Sequence, residues 1–207
     1  MTSAPQDPLA AGVARANAFF ALSRCFDLPT RWPADLGTLV RDALGPLGTP
    51  ASRLADEIER RGSLDALAAA HARLFVGPFR VDAPPWASAY LEPDGQLMGT
   101  ASAYARTAYA RAGLDTTTRT EAPDHVAFEL EFMYYLAFRE AETGDAIWFE
   151  RQARFWREHL GRWLPRLAAL MRDGSPRAAP YAALADVVSA FSPRLDAAYD
   201  CDTGVPR

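Results

Sequence analysis

Apolar positions along this chain recur with helical spacing over most of its length. Val13, Asn17, Phe20, Leu22 and Phe26 fall in a first amphipathic segment. Leu28-Pro29 stops it, because the residue before a proline is pushed out of the α region. A second helix is expected over 34–44, ended by Gly45-Pro46, and Pro50 opens a third whose buried positions are Leu54 and Ile58. Ser63 suits the N-cap of a fourth, which carries Leu64, Leu67, Ala68, His71, Leu74 and Phe75.

Gly77-Pro78 then breaks the pattern. Over 76–99 the chain holds Pro84, Pro85, Pro93, Gly95 and Gly99, with Phe79, Trp86 and Tyr90 among them, and no stable period. Loops longer than about 15 residues are uncommon in compact domains and tend to be functional or mobile. Helix returns over 100–111, with Tyr104, Ala108 and Arg111 on one stripe and Gly113 as its cap. A polar link over 114–122, containing Thr116-Thr117-Thr118, leads to Pro123, read as the first residue of a helix over 123–143. Val126, Leu130, Met133 and Ala137 line one side of that helix and Phe128, Phe132 and Tyr135 another, so it is expected to be buried on most sides.

Gly144-Asp145 supplies a C-cap and an N-cap in succession, which predicts a helical hairpin. The inner face of the next helix reads Trp148, Gln152, Phe155, Trp156, His159 and Trp163. Pro165 is expected to start another helix, 181–191 to form the last, and 199–207 to be a frayed tail. No segment alternates like a strand. The expectation is an all-α fold: a single globular bundle of about eight or nine helices with a long Pro-rich aromatic loop, and 114–122 as a possible hinge between two lobes.

Composition narrows the function classes. The 207 residues are 49% hydrophobic, enough for a real core. All 22 basic residues are Arg, net charge is −4, and no basic run appears, which argues against nucleic-acid binding. Without Lys there is neither a P-loop nor Lys Schiff-base chemistry. Cys25 and Cys201 are too few for a disulfide framework. No apolar run reaches the length of a membrane span, and 1–8 shows no basic region leading into an apolar stretch, so a cytoplasmic protein without an export signal is expected.

Few residues could carry chemistry. Asp124-His125 resembles the dyad of a metal-dependent phosphohydrolase, and His125 with Glu129 one turn on could share a metal. Capping and hydrogen bonding explain Asp124 and His125 as well, and Glu121 and Asp124 fall where a helix dipole favours negative charge. Ser88 lacks a nucleophile elbow, and Cys25 reads as a small core residue. The Trp86/Tyr90 loop either roofs the core or walls a peptide groove. Carboxylates at one end of such a groove and aromatics along it suit a segment that is basic at one end and apolar beyond.

Several segments together resemble the TorD/DmsD/NarJ family of cytoplasmic molybdoenzyme chaperones, the redox enzyme maturation proteins. They are Leu74-Phe75-Val76-Gly77-Pro78, Pro84-Pro85-Trp86-Ala87-Ser88-Ala89-Tyr90, the run from Glu121-Ala122-Pro123-Asp124-His125 to Met133, and Phe155-Trp156-Arg157-Glu158-His159-Leu160 followed by Trp163-Leu164-Pro165. The resemblance implies a non-enzymatic helical chaperone that binds the leader peptide or apo form of a molybdopterin-containing oxidoreductase subunit. It would shield that subunit until cofactor insertion and twin-arginine export. Carried over by position, the peptide-binding residues are Leu74, Phe75, Pro85, Trp86, Ser88, Tyr90, Glu121, Asp124 and His125. Glu121 and Asp124 would form an acidic rim for the leader arginines, and the Trp86/Tyr90 loop would cover its apolar region.

The resemblance also implies that the client, and not this chain, carries the molybdenum cofactor. Weak guanine-nucleotide binding and domain-swapped dimers occur in the family. With no P-loop, GTPase activity is not expected here, and 114–122 is where a swap hinge would lie. One departure is His71, at a place where relatives can carry Trp. Three other readings remain open at this point: the phosphohydrolase, an assembly factor of NarJ type for a client that is not exported, and a helical adaptor unrelated to export.

Overall fold

The computed structural model describes residues 8–60, 62–77, 81–95, 97–115, 121–174 and 179–200. The helices are α1 (Pro8–Cys25), α2 (Leu36–Leu44), α3 (Thr49–Glu59), α4 (Leu64–His71), the single turn α5 (Ser88–Leu91), α6 (Thr100–Arg111), α7 (Val126–Thr143), α8 (Ala146–Phe155), α9 (Gly161–Gly174) and α10 (Ala179–Asp200). Wide π-helical turns at Ala72–Val76 and Trp156–Leu160 prolong α4 and join α8 to α9 without a loop. Among the described residues there is no strand, only one antiparallel bridge between Trp86 and His125. The all-α bundle is therefore observed, and with α8–α9 taken as one rod and α5 set aside it has eight helices among the described residues. Among the described residues no helix is long and apolar enough to cross a membrane.

α1 and α7 form the central pair. They approach closely because small residues face each other: a Cβ on Gly12 would stand 3.3 Å from the Cβ of Ala141. Leu22 and Phe26 of the expected amphipathic set are buried, but the first turns of α1 bury a different face. Gly12, Ala16, Phe19 and Leu22 point inward, whereas Val13 is 44% exposed and Asn17 faces out. Small residues at a helix crossing carry little hydrophobic signal, so Val13 outweighed them in the pattern. The stripe Val126, Leu130, Met133 and Ala137 of α7 is buried as expected. Truncating Leu130 to Ala would cost about 2–5 kcal/mol.

Polar ties lock the pair to its neighbours. Arg15 donates to both oxygens of Glu140 at 2.6 and 2.7 Å, and Gln152 of α8 donates to Glu140 at 2.7 Å. Tyr199 of α10 donates to Gln152 at 3.2 Å. The expected frayed tail is thus corrected in part. Tyr199 and Asp200 are helical, and the Tyr199 ring is buried against Phe149, while 201–207 lie outside the described residues. The last helix also starts earlier and ends later than 181–191 because its apolar face keeps finding partners in α3 and α9.

Local punctuation is mostly as expected. Ser63 caps α4 by accepting from the Ala66 amide at 3.2 Å. Gly144 closes α7 at φ 68, and Asp145 caps α8 by accepting from the Ile147 amide at 3.0 Å. Pro165 does not begin a helix: it lies inside α9, which the π turn at Trp156–Leu160 feeds directly. Pro123 is likewise outside α7. The chain over 121–125 turns at Pro123-Asp124, closed by the His125 amide donating to the Ala122 carbonyl at 3.1 Å, and is held against the Trp86 loop, so α7 begins at Val126 with His125 as its cap. The link 114–122 lies partly outside the described residues.

Candidate functional site

The bend 121–125 is stapled to the Trp86 loop by backbone hydrogen bonds. The Ala87 amide donates to the Asp124 carbonyl at 2.9 Å, and the Val126 amide to the Pro85 carbonyl at 2.8 Å. Beneath them the Asp124 carboxylate is wholly buried. It accepts from the Ser88 amide at 2.9 Å and from the Ser102 hydroxyl at 2.6 Å, so it ties α5, α6 and the entry to α7 together. Tyr109 adds a bond to the Pro123 carbonyl at 2.6 Å. His125 is half-buried. Its Nδ1 accepts from the Ala127 amide at 3.2 Å, and its ring meets Trp86 edge-on at 6.1 Å. Burial holds its pKa below the usual imidazole value.

Two hollows open beside this bend. The first, about 630 Å³, runs between the start of the α1–α2 connection, the end of α4 and the bend, and is lined by Phe26, Arg31, Phe75, Trp86, Glu121 and His125, among others. The second, about 330 Å³, is more apolar, with Phe20, Tyr109, Leu114, Phe132, Tyr134 and Tyr135 in its walls. Arg24, Glu121, Phe128 and Glu131 line both, so they form the divide between the hollows. Arg24 is paired with Glu131 across α1 and α7, and with Asp27 at 3.2 Å. Glu121 is exposed and makes no hydrogen bond or ion pair among the described residues.

Residues 40–169 match the family model described as nitrate reductase delta subunit, and this span holds the Trp86 loop, the bend and all of α7. The chain belongs to that family. It is the family of the NarJ/TorD-type maturation chaperones, as the sequence motifs indicate. No curated protein matches the chain. Among solved structures, a candidate redox enzyme maturation protein from Archaeoglobus fulgidus is similar in fold. Its TM-score is 0.51 at 19% identity, covering 89% of this chain and 93% of that one. The delta-subunit match does not reach α1, which supplies Phe20 and Arg24 to the hollows.

Within this chain the residues singled out from sequence separate into two groups. Phe75, Pro85, Trp86, Glu121 and His125 meet in the larger hollow. Leu74, Ser88, Tyr90 and Asp124 do not line it. Leu74 is core. Tyr90 is turned the other way, stacked on Trp163 at 5.4 Å, with its carbonyl accepting from Arg166 at 2.6 Å, so it roofs the core. Ser88 contributes its amide to Asp124, and its own hydroxyl is buried without a partner. The acidic rim expected at Glu121 and Asp124 is corrected to Glu121, because the Asp124 oxygens are consumed inside the fold. Neither residue lies in the first turn of α7, so the helix dipole does not act on them as supposed. Missed from sequence were Arg24, Arg31 and Glu131. The α1–α7 packing brings Arg24 to Glu131, and a single chain's pattern carries no signal for that pairing.

The metal reading loses its donors. Asp124 is engaged as above, and Glu129 faces His159 instead of His125. One Glu129 oxygen stands 2.6 Å from His159 Nε2, and the other accepts from the Trp163 indole at 3.0 Å. All three are buried, and desolvation raises the Glu129 pKa, partly offset by His159 and Trp163. Among the described residues no group of three or more His, Cys, Asp or Glu could hold a metal ion. Cys25 is buried and its thiol is pushed up to about 12, an inert core residue as expected.

Proposed function

We propose that this protein is a cytoplasmic chaperone for a redox enzyme, binding the leader peptide or apo form of a molybdopterin-containing oxidoreductase subunit. It holds the client until the cofactor is inserted and the subunit is released for twin-arginine export. The client carries the cofactor, and this chain performs no covalent step. One observation carries the reading: Glu121, exposed and without an ion-pair partner among the described residues, stands where a hollow lined by Trp86, Phe75 and His125 meets an apolar one lined by Phe20, Tyr109 and Phe132. A leader is basic at one end and apolar beyond it. Its arginines would reach Glu121, with the planar fork of guanidinium and carboxylate fixing direction, and its apolar region would enter the smaller hollow. Membership of the delta-subunit family supports the choice of a redox-enzyme client.

Isothermal calorimetry with a synthetic twin-arginine leader tests this. Saturable binding in the micromolar range is expected, weakened by Trp86→Ala. Absence of heat with the leader of every oxidoreductase encoded beside this gene would remove the proposal. The family description as a nitrate reductase delta subunit favours a second reading, in which the client remains in the cytoplasm. Under it the same hollows bind the N-terminus of a catalytic subunit lacking the arginine pair, and replacing the pair by alanines in the probe leaves affinity unchanged.

A further inference from the structure

A third hollow, about 880 Å³, lies away from the bend between α6 and α8, over Phe132 of α7. Its floor is aromatic. Phe132 and Phe155 are buried at the bottom with rings 4.9 Å apart, and Tyr104 leans on Phe155 at 6.1 Å. Its rim is basic. Arg111, in the last turn of α6, stands on one wall, and Arg151 and Arg154 stand on the other. None of these three guanidiniums makes a hydrogen bond or ion pair among the described residues; Arg151 rests on the Trp148 ring at 4.6 Å. Elsewhere on this acidic protein Arg15, Arg41, Arg53 and Arg172 each meet a carboxylate. The acids near the hollow are Glu150 in its wall and Glu158, which accepts from the Tyr104 hydroxyl at 2.8 Å.

We infer that this hollow is a second docking surface, for an acidic segment of a partner protein that places carboxylates on both sides of an apolar side chain. Charge complementarity and shape select that occupant. The arginines stand on opposite walls with an apolar floor between them, so carboxylates spaced along a chain reach both walls while an apolar side chain covers the aromatic rings. A compact anion would pair at one wall and leave the floor bare. Depletion of charged side chains over an aromatic floor, with Arg at its edge, is also the composition of an interface core. The chemistry is the opposite of that proposed for the Glu121 hollows; Phe132 borders both the small apolar hollow and this one, and the variants used below leave it in place.

The test uses the full chain and a rhodamine-labelled peptide, Asp-Glu-Phe-Leu-Asp-Glu, followed by fluorescence anisotropy at low and moderate salt. Saturable binding is expected, with affinity falling about tenfold or more in Arg151→Glu/Arg154→Glu. Ala103→Trp, which fills the hollow from the α6 wall and leaves every charge in place, is expected to weaken binding as well. Far-UV circular dichroism confirms that both variants fold, and leader binding at the Glu121 hollows stays unchanged in both. The inference is overturned if the peptide does not saturate, if Lys-Lys-Phe-Leu-Lys-Lys binds equally, or if the charge reversal has no effect. It is also overturned if inorganic pyrophosphate displaces the peptide and Ala103→Trp is silent, which would mark a small-anion site.

Discussion

Replacing Asp124 separates a structural role from a ligand-binding one. The carboxylate is buried and accepts two hydrogen bonds, from the Ser88 amide at 2.9 Å and the Ser102 hydroxyl at 2.6 Å. Asp124→Ala strands a backbone donor that cannot turn away, leaves the hydroxyl without its acceptor, and opens a small cavity. Hydrogen bonds to a charged acceptor contribute about 1.5–3 kcal/mol each, so the loss is roughly 3–5 kcal/mol after the Ser102 hydroxyl rotates. For a chain of this size that lowers the melting temperature by about 6–20 °C. Asp124→Asn keeps an acceptor for the Ser88 amide and offers an N–H to the Ser102 oxygen, so its cost is about 1–2 kcal/mol. Urea titration read by tryptophan fluorescence measures both variants. Leader affinity, measured well below the melting temperature of each variant, is expected to survive Asp124→Asn. A melting temperature unchanged in Asp124→Ala, or Asn as damaging as Ala, would refute the reasoning.

Ser88→Ala removes a buried hydroxyl that has no partner while keeping the amide that holds Asp124, so stability is expected to stay level or rise by up to about 1 kcal/mol; a loss of more than that in urea titration would show a hidden partner. Glu129→Leu leaves His159 and the Trp163 indole unpaired inside the core and is expected to cost about 2–4 kcal/mol. Glu129→Gln can accept from the indole and donate to a neutral His159, and costs less than about 1 kcal/mol; equal losses for the two would contradict the geometry. Burial lowers the folded-state pKa of His71 and His125, so the unfolded chain binds more protons below about 6.5 and these two contribute stability that is lost as pH falls through that value. Glu129, raised by burial, acts with the opposite sign, favouring the fold as pH falls toward its own titration. His125→Asn keeps an N-cap while deleting one titration, so the decline in unfolding free energy between pH 7 and pH 5.5 becomes shallower; an unchanged slope would remove His125 from the explanation.

The fold was legible where the sequence carries strong local punctuation. Ser63, Gly144 and Asp145 cap the helices they were expected to cap, and the stripe of Val126, Leu130, Met133 and Ala137 is core. It was not legible where tertiary contacts decide. Gly12 and Ala16 set the face of α1 through their closeness to α7, which no hydrophobic count rewards. Pro123 and Pro165 both look like helix starts. The Trp86 bridge delays α7 to Val126, and the π turn before Gly161 lets α9 run through Pro165. At the site, local sequence places Trp86, Glu121 and His125 within reach of one another only through the antiparallel bridge. Whether a carboxylate faces solvent or two buried donors is a property of packing, which is why Asp124 and Glu121 looked alike and are not. The His159 partner of Glu129 lies thirty residues away, beyond any helical spacing rule.

The exposed carboxylate at the junction of the two hollows carries the central claim, and a charge swap tests it most directly. Calorimetry would compare the parent and Glu121→Arg, each with a twin-arginine leader and with the same leader carrying glutamates in place of the arginine pair. The expected result is a loss of about tenfold in affinity for Glu121→Arg with the natural leader and recovery with the acidic one, because only the paired combinations match in charge. If Glu121→Arg binds the twin-arginine leader as tightly as the parent does, the leader does not engage this junction and the proposed docking is wrong.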